Sequence, residues 1–308
     1  MSVSKGEYSP FSSQWVNRKL YTLMLVIYTP SELITDSPLV IDDSGSEIKA
    51  QESITDCNKS WLLLGLKQSG FGKGRWNGFG GKVEFSDANP KAAALRELNE
   101  ESGLTINESS VDEVGRLWFT FAETTECMEV HVFICRTWTP TLNGHTVEWP
   151  CYTEEMHPAW FPLIINKDNT INTSSLPWEH MWPDDFLWVP DVLQGNLVLA
   201  WFHYLRLSNL STTNSQNLID CSRETNGISI DLYEIPAYHM EYFTMDGNEL
   251  LFADKDNNCN LSNLQRIIDQ LDLDKNDHNL RLWMSSSLYD NESVLSPSIL
   301  KKILHYPI

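Results

Sequence analysis

The sequence predicts an α/β chain of the α+β kind, and three observations carry that reading. Runs of apolar, β-favouring residues recur at 19–28, 61–66, 114–121 and 129–136. One strongly capped helical stretch, Asn89 to Gly103, lies between the second and third runs. A glycine-dense turn, Gly78-Phe79-Gly80-Gly81, stands just before that helix.

Taken in order, residues 1–18 form a polar tail without a long apolar core, so no secretory signal is expected. Lys19 to Tyr28 fits a buried strand. From Thr29 to Ser60 the chain turns to Ser, Asp, Glu and Ile without a regular period, which predicts a long flexible loop inserted between two strands. Trp61–Leu66 returns to strand character and leads through Lys67 into the glycine-rich stretch. Asn89 suits an N-cap and Pro90 the first helical position; Ala92 to Leu95 favour helix, and Gly103 ends it. Val114–Phe121 and Glu129–Arg136 read as two further strands, whereas 137–150 and 165–180 are rich in Thr, Asn, Pro and Ser and read as loops. Leu197 to Glu224 is strand-like with a polar insertion at 208–216. Beyond it, Leu261–Leu271 is apolar at i, i+3, i+6, i+7 and i+10, an amphipathic helix, and Ser296–Leu304 reads as another. This C-terminal extension, 225–308, shows no catalytic constellation; its His239, His278 and His305 read as structural, and it either packs on the core or docks a partner.

A net charge of −20 over 308 residues argues against stable nucleic-acid binding. A small nucleotide stays compatible, because a metal ion screens its phosphates. No run approaches a membrane span. The six cysteines form no C-x-x-C pair, which predicts free thiols in a reducing compartment. The expectation is a soluble cytoplasmic protein, with nucleus and mitochondrion as alternative sites.

The chemistry concentrates on the capped helix. Glu97, Glu100 and Glu101 fall within an arc of roughly 100°. Three carboxylates on one arc repel, and a hard divalent cation such as Mg²⁺, with Mn²⁺ as a substitute, relieves them. Arg96, at i,i+4 from Glu100, is placed to orient that carboxylate. A plain solvated acidic face is the competing reading. It is the preceding glycines, whose backbone allows close approach of a phosphate, that favour the metal site.

Gly81…Arg96-Glu97-Leu98-x-Glu100-Glu101-x-Gly103-Leu104 resembles the Nudix box, G-x5-E-x7-R-E-U-x-E-E-x-G-U, with U aliphatic. Here the box is one residue longer, and Asp87 stands where its first Glu is expected. Longer segments are similar to the animal MutT-homologue branch of that family, which acts on oxidised purine nucleoside triphosphates: Leu20–Leu23, Gly70–Val83, Met128–Phe133 and Met181–Asp185. The resemblance runs from about Leu20 to Glu224 and implies a Nudix domain at 19–224, its mixed β-sheet sandwiched between helices, with a C-terminal extension. It implies Mg²⁺ held by Glu97, Glu100, Glu101 and the Gly80 carbonyl. Glu155, in the segment Thr153–Phe161, aligns with a carboxylate that reaches the metal or activates water; on residues alone it and Glu154 are ordinary exposed acids.

Met181-Trp182-Pro183-Asp184-Asp185 suggests a base site. Trp182 offers a face on which a purine stacks. Two adjacent carboxylates in an apolar pocket cannot both ionise cheaply, so the pair presents a donor and an acceptor, and by moving its proton it tolerates more than one oxidised base. The bland alternative makes Asp184 the N-cap of a helix that Pro190 then disturbs. The resemblance adds Asn77 bonding the purine edge. It also adds Thr22, Lys67, Phe71, Phe79, Gly80, Gly81, Lys82, Phe119, Phe121, Met128 and Pro183 as the rest of the substrate site, although such aromatics are more often core. The implied activity is metal-dependent hydrolysis of 8-oxo-dGTP and 2-oxo-dATP to the monophosphate and pyrophosphate, which sanitises the nucleotide pool. Rival readings are a Nudix hydrolase acting on dinucleoside polyphosphates or capped RNA, and a non-catalytic nucleotide-binding protein.

Overall fold

The computed structural model describes residues 17–30, 38–49, 59–143, 146–206, 233–243 and 268–269. Strand β1 (Asn17–Tyr28) is the axis of the molecule. Its side chains alternate between two layers: Leu23, Leu25 and Ile27 enter one core cluster, and Met24, Val26 and Tyr28 the other. Burial on both faces explains why its sequence is an almost unbroken apolar run rather than an alternating one.

A small hairpin follows, β2 (Leu39–Ile41) and β3 (Glu47–Lys49), inside the stretch expected to be a loop. Next come β4 (Lys59–Lys67), the short β5 (Trp76–Asn77) and helix α1 (Pro90–Ser102). The Asn89 side chain caps α1 by accepting from the Ala92 amide, and Gly103, at φ 74°, ends it in the left-handed region. Strands β6 (Asp112–Phe121) and β7 (Glu126–Trp138) form an antiparallel pair. A hairpin of β8 (Thr141–Asn143) and β9 (Thr146–Glu148) replaces part of the loop expected over 137–150.

Residues 156–165 form a full strand, β10 (Met156–Ile165), followed by β11 (Ile171–Asn172). Pro158 and Pro162 disguise β10 in the sequence. They are tolerated because that stretch pairs with β4 alone, and β11 joins only at Ile164 and Ile165. Helix α2 (Asp185–Gln194) contains Pro190 after all, forgoing only the bond to the Phe186 carbonyl in its first turn. The description closes with β12 (Leu197–Arg206) and β13 (Tyr233–Phe243), which pair antiparallel.

The main sheet runs β11-β10-β4-β1-β7-β6-β12-β13, with β5 on β4. It is mixed: β1 with β7 and β6 with β12 are parallel, and the remaining pairs antiparallel. Ala94 and Leu98 of α1 pack with Met24 and Phe133, while Trp188, Val189, Val192 and Leu193 of α2 join the cluster of Leu23 and Leu25. The sheet is therefore sandwiched between helices.

From residue 225 onward, β13 joins this sheet, and Ile268, in a helical position, is fully buried in the cluster that holds Trp118 and Trp201. The rest of the helix expected at 261–271, the one at 296–304, the polar tail and the insertion at 208–216 lie outside the described residues. No helix among the described residues is long and apolar enough to cross a membrane. Cys127, Cys135 and Cys151 are free thiols.

Candidate active site

The glycine turn lies along β1. Met24 and Phe79 exchange backbone hydrogen bonds of 2.6 and 3.0 Å, and the Thr22 amide donates to the Gly81 carbonyl at 2.8 Å. A Cβ on Gly80 would sit 2.1 Å from the Thr22 carbonyl oxygen, and one on Gly81 would sit 2.5 Å from a Glu97 oxygen. The turn must be glycine because β1 and α1 close on it from two sides.

Helical spacing gives the three α1 carboxylates three environments. The Glu101 side chain is 1% exposed, Glu97 15% and Glu100 56%. Glu101 accepts from the Gly80 amide at 2.8 Å and from Lys67 Nζ at 3.0 Å. Burial pushes its pKa up to about 7, against the pull of Lys67, and burial also raises that of Glu97. The Lys67 ammonium bridges from Glu101 to Glu155; burial lowers its pKa, but the two carboxylates outweigh burial and the net shift is upward.

Arg96 gathers the acids on the other side. Its Nε and Nη2 donate to the two oxygens of Asp87 at 3.0 and 2.9 Å, and its Nη1 reaches Glu97 and Glu100 at 3.0 Å each. The repulsion expected on α1 is thus relieved by Arg96 and Lys67. Asp87, given no role in the sequence reading, is the residue that holds Arg96; their hydrogen bonds lower the pKa of Asp87 and raise that of Arg96.

Beside this acidic ridge opens a cavity of about 340 Å³. Thr22, Lys67, Phe71, Asn77, Gly80, Gly81, Phe119, Phe121, Met128, Glu155, Trp182, Asp184 and Asp185, all named in the sequence reading, contribute to its wall. Three residues of that reading stand elsewhere. Phe79 is fully buried in the α1-side cluster beneath Gly65, because it stands opposite Met24 of β1, whose side chain enters that layer. Lys82 is exposed, and its carbonyl accepts from Arg96 at 3.2 Å. Pro183 is half-buried and does not line the cavity.

The floor holds Asp184 and Asp185, 2% and 3% exposed. Asp184 precedes α2 but makes no capping bond. Its Oδ2 accepts from Trp188 Nε1 at 2.9 Å and its Oδ1 from the Tyr204 hydroxyl. Asp185 accepts from the Trp182 amide at 2.9 Å. Trp182 stacks on Phe71, with ring centroids 5.0 Å apart, and the Arg75 guanidinium lies over the Trp182 ring, 4.7 Å from its centroid. Arg75 also donates to the Met181 carbonyl at 2.6 Å, fixing the loop that carries Trp182. Trp188, at i,i+4 from Asp184, went unremarked in the sequence; Tyr204 and Arg75 come from distant elements and left no signal.

The NUDIX domain pattern matches residues 54–176. An oxidized purine nucleoside triphosphate hydrolase of Danio rerio is 38% identical over 143 residues, 46% of this chain and 78% of that protein. The chain belongs to the Nudix family. A Mus musculus protein of the same name is 40% identical over 143 residues, again 46% of this chain and 78% of that protein. The crystal structure of a MutT protein from Bacillus halodurans overlays at a TM-score of 0.34 with 17% identity, covering 61% of this chain and 90% of that one. As a Nudix hydrolase, the protein is of a kind that uses divalent metal ions. Among the described residues no three acidic, imidazole or thiolate side chains converge on one point; Lys67 and Arg96 stand between the carboxylates. The donor set nevertheless fits a hard cation: it is all oxygen, crowded, and partly raised in pKa by burial.

Proposed function

We propose that this Nudix protein hydrolyses oxidised purine nucleoside triphosphates, such as 8-oxo-dGTP and 2-oxo-dATP, to the monophosphate and pyrophosphate. The observation that carries the reading is one cavity joining two chemistries. At one end Trp182, Asn77 and the buried Asp184–Asp185 pair suit a purine edge; at the other Lys67, Gly80, Gly81 and Glu155 suit phosphates beside an acidic ridge. The Asn77 side-chain oxygen already accepts from the Gly78 amide at 2.9 Å, which leaves its NH₂ to donate to the base. Trp182 supplies the stacking face, held by Phe71 and Arg75. The names of the relatives from Danio rerio and Mus musculus support the same substrate class.

Glu97, Glu100, Glu101 and the Gly80 carbonyl would hold Mg²⁺, or Mn²⁺ in its place. When bound it neutralises phosphate charge and acidifies water. The chain's own groups do the rest. Gly80 and Gly81 let the phosphates approach the backbone, and Lys67 offers them an ammonium. Arg96, clamped by Asp87, orients Glu97 and Glu100. Glu155, on the cavity wall, takes a proton from the attacking water. The reaction would guard the nucleotide pool of the cytoplasm, with nucleus and mitochondrion as alternative sites.

Steady-state assays with Mg²⁺ across 8-oxo-dGTP, 2-oxo-dATP, dGTP and dinucleoside polyphosphates test the reading. Oxidised purines should lead in kcat/KM. Turnover of dinucleoside polyphosphates alone would replace this substrate class, and tight binding without any turnover would remove the enzyme.

A further inference from the structure

Tyr204 lies on β12, lines the cavity, and stacks on Phe121 with ring centroids 5.5 Å apart. Its hydroxyl donates to Asp184 Oδ1, while Trp188 donates to Oδ2. An indole N–H can only donate. Among the described residues Asp184 is the one acceptor of the Tyr204 hydroxyl, so a proton on Oδ1 would strand a buried O–H, and one on Oδ2 would weaken both charge-assisted bonds. Asp185 is bonded differently: Oδ2 accepts from the Trp182 amide, and Oδ1 meets no donor among the described residues.

Two buried neighbouring carboxylates share one charge. Burial and then the charge of Asp184 drive the Asp185 carboxyl far up, whereas Tyr204 and Trp188 hold Asp184 to about 6 against burial. The other ionisable groups acting on the pair do not choose between its members: Arg75 lowers the pKa of both, and Tyr204 stays a neutral phenol, its own pKa pushed well up by burial.

We propose that Tyr204 is a specificity-determining residue: by holding Asp184 as a permanent acceptor it leaves the proton on Asp185, so the pair meets a purine edge in one fixed acceptor–donor order. The inference rests on the oxidised-purine reading above. A 6-oxopurine presents an N1–H donor beside a carbonyl, and a 6-aminopurine presents an N1 acceptor beside an amino donor. The two orders are opposite. A pair that passes its proton freely serves both equally, and a pair fixed in one order favours one.

The test is the ratio of kcat/KM for 8-oxo-dGTP and 8-oxo-dATP, which share the oxidised five-membered ring and differ in that order. The wild-type enzyme should favour one of them by at least ~30-fold, and Tyr204→Phe should shrink the ratio by about tenfold or more. Packing loss alone lowers both efficiencies together and leaves the ratio where it was. Near-equal efficiencies in the wild type, or an unchanged ratio in Tyr204→Phe, overturn the inference while the oxidised-purine reading stands. Hydrolysis of neither overturns that reading and this inference with it. The wild-type ratio decides without the variant if Tyr204→Phe does not fold.

Discussion

Glu101 is drawn into the interior by nothing more than its place on α1, and there it meets the Gly80 amide and Lys67. Glu101→Gln keeps an acceptor for Gly80 but loses the charge. Turnover should fall by about a hundredfold or more, while the circular dichroism spectrum stays that of the parent. Asp87 tests the other side of the ridge. Asp87→Ala releases Arg96 from a bidentate grip and should lower kcat by about tenfold, with Asp87→Glu restoring much of it. A kcat equal to the parent's in Asp87→Ala would mean that Glu97 and Glu100 hold Arg96 unaided. At this scale the sequence was informative where spacing sets geometry, as for the α1 acids. It was silent on Tyr204, because a phenol that reaches Asp184 from β12 is placed by the fold and by no local pattern. It misled at Phe79, whose side is set by its pairing with Met24 of β1 and by no local pattern.

Two elements carry more than packing. Across β6 and β7, His131 Nδ1 lies 2.9 Å from Glu113 and its Nε2 3.4 Å from Glu129; Arg116 reaches the same two acids at 3.1 and 3.5 Å. Burial lowers the pKa of His131, but the two acids outweigh it and the net shift is upward. Both acids are shifted downward despite their burial, His131 and Arg116 outweighing it. The signs differ. The His131 contribution is full below the ordinary imidazole value of 6.5 and is lost as pH rises through the raised value. The acids contribute above their ordinary value of 4.5 and lose that contribution as pH falls through the lowered values. His131→Gln should therefore cost ~3 kcal/mol at pH 6 and flatten the decline in stability above neutrality. Urea unfolding at a series of pH values reads both effects, and parallel curves for parent and variant would refute the assignment. On α1, Asn89→Ala should cost about 1 kcal/mol through the lost cap, by the same measurement. That cap was readable because it is local. Strand β10 was not, because its prolines argue against a strand until its one-sided pairing is known.

At the scale of the whole molecule, the cavity exists because one sheet serves two helices and its strand order brings Lys67, Gly80, Phe119 and Tyr204 to the same opening. The residues beyond 224 take part: β13 pairs along β12, and Tyr233 lies 5.4 Å, ring to ring, from Trp182. Ile268→Ala should cost ~2–4 kcal/mol, since that side chain is fully buried among sheet residues. A midpoint of thermal unfolding unchanged from the parent would show that the extension adds nothing to the core. Composition and periodicity supplied the class of fold and most of its strands. The order of those strands, which decides what faces what, depends on pairings between distant segments and has no local trace.

That dependence reaches back to synthesis. Asn17 lies opposite Glu126, and Tyr28 opposite Trp138, in a parallel pairing. The central strand therefore emerges from the ribosome long before its parallel neighbour exists, and most of its greasy length must wait uncovered on that side. Loop closure of that span is slow, so refolding from urea should be sluggish and prone to clumping at high concentration, with helpers that shield nascent chains easing the delay.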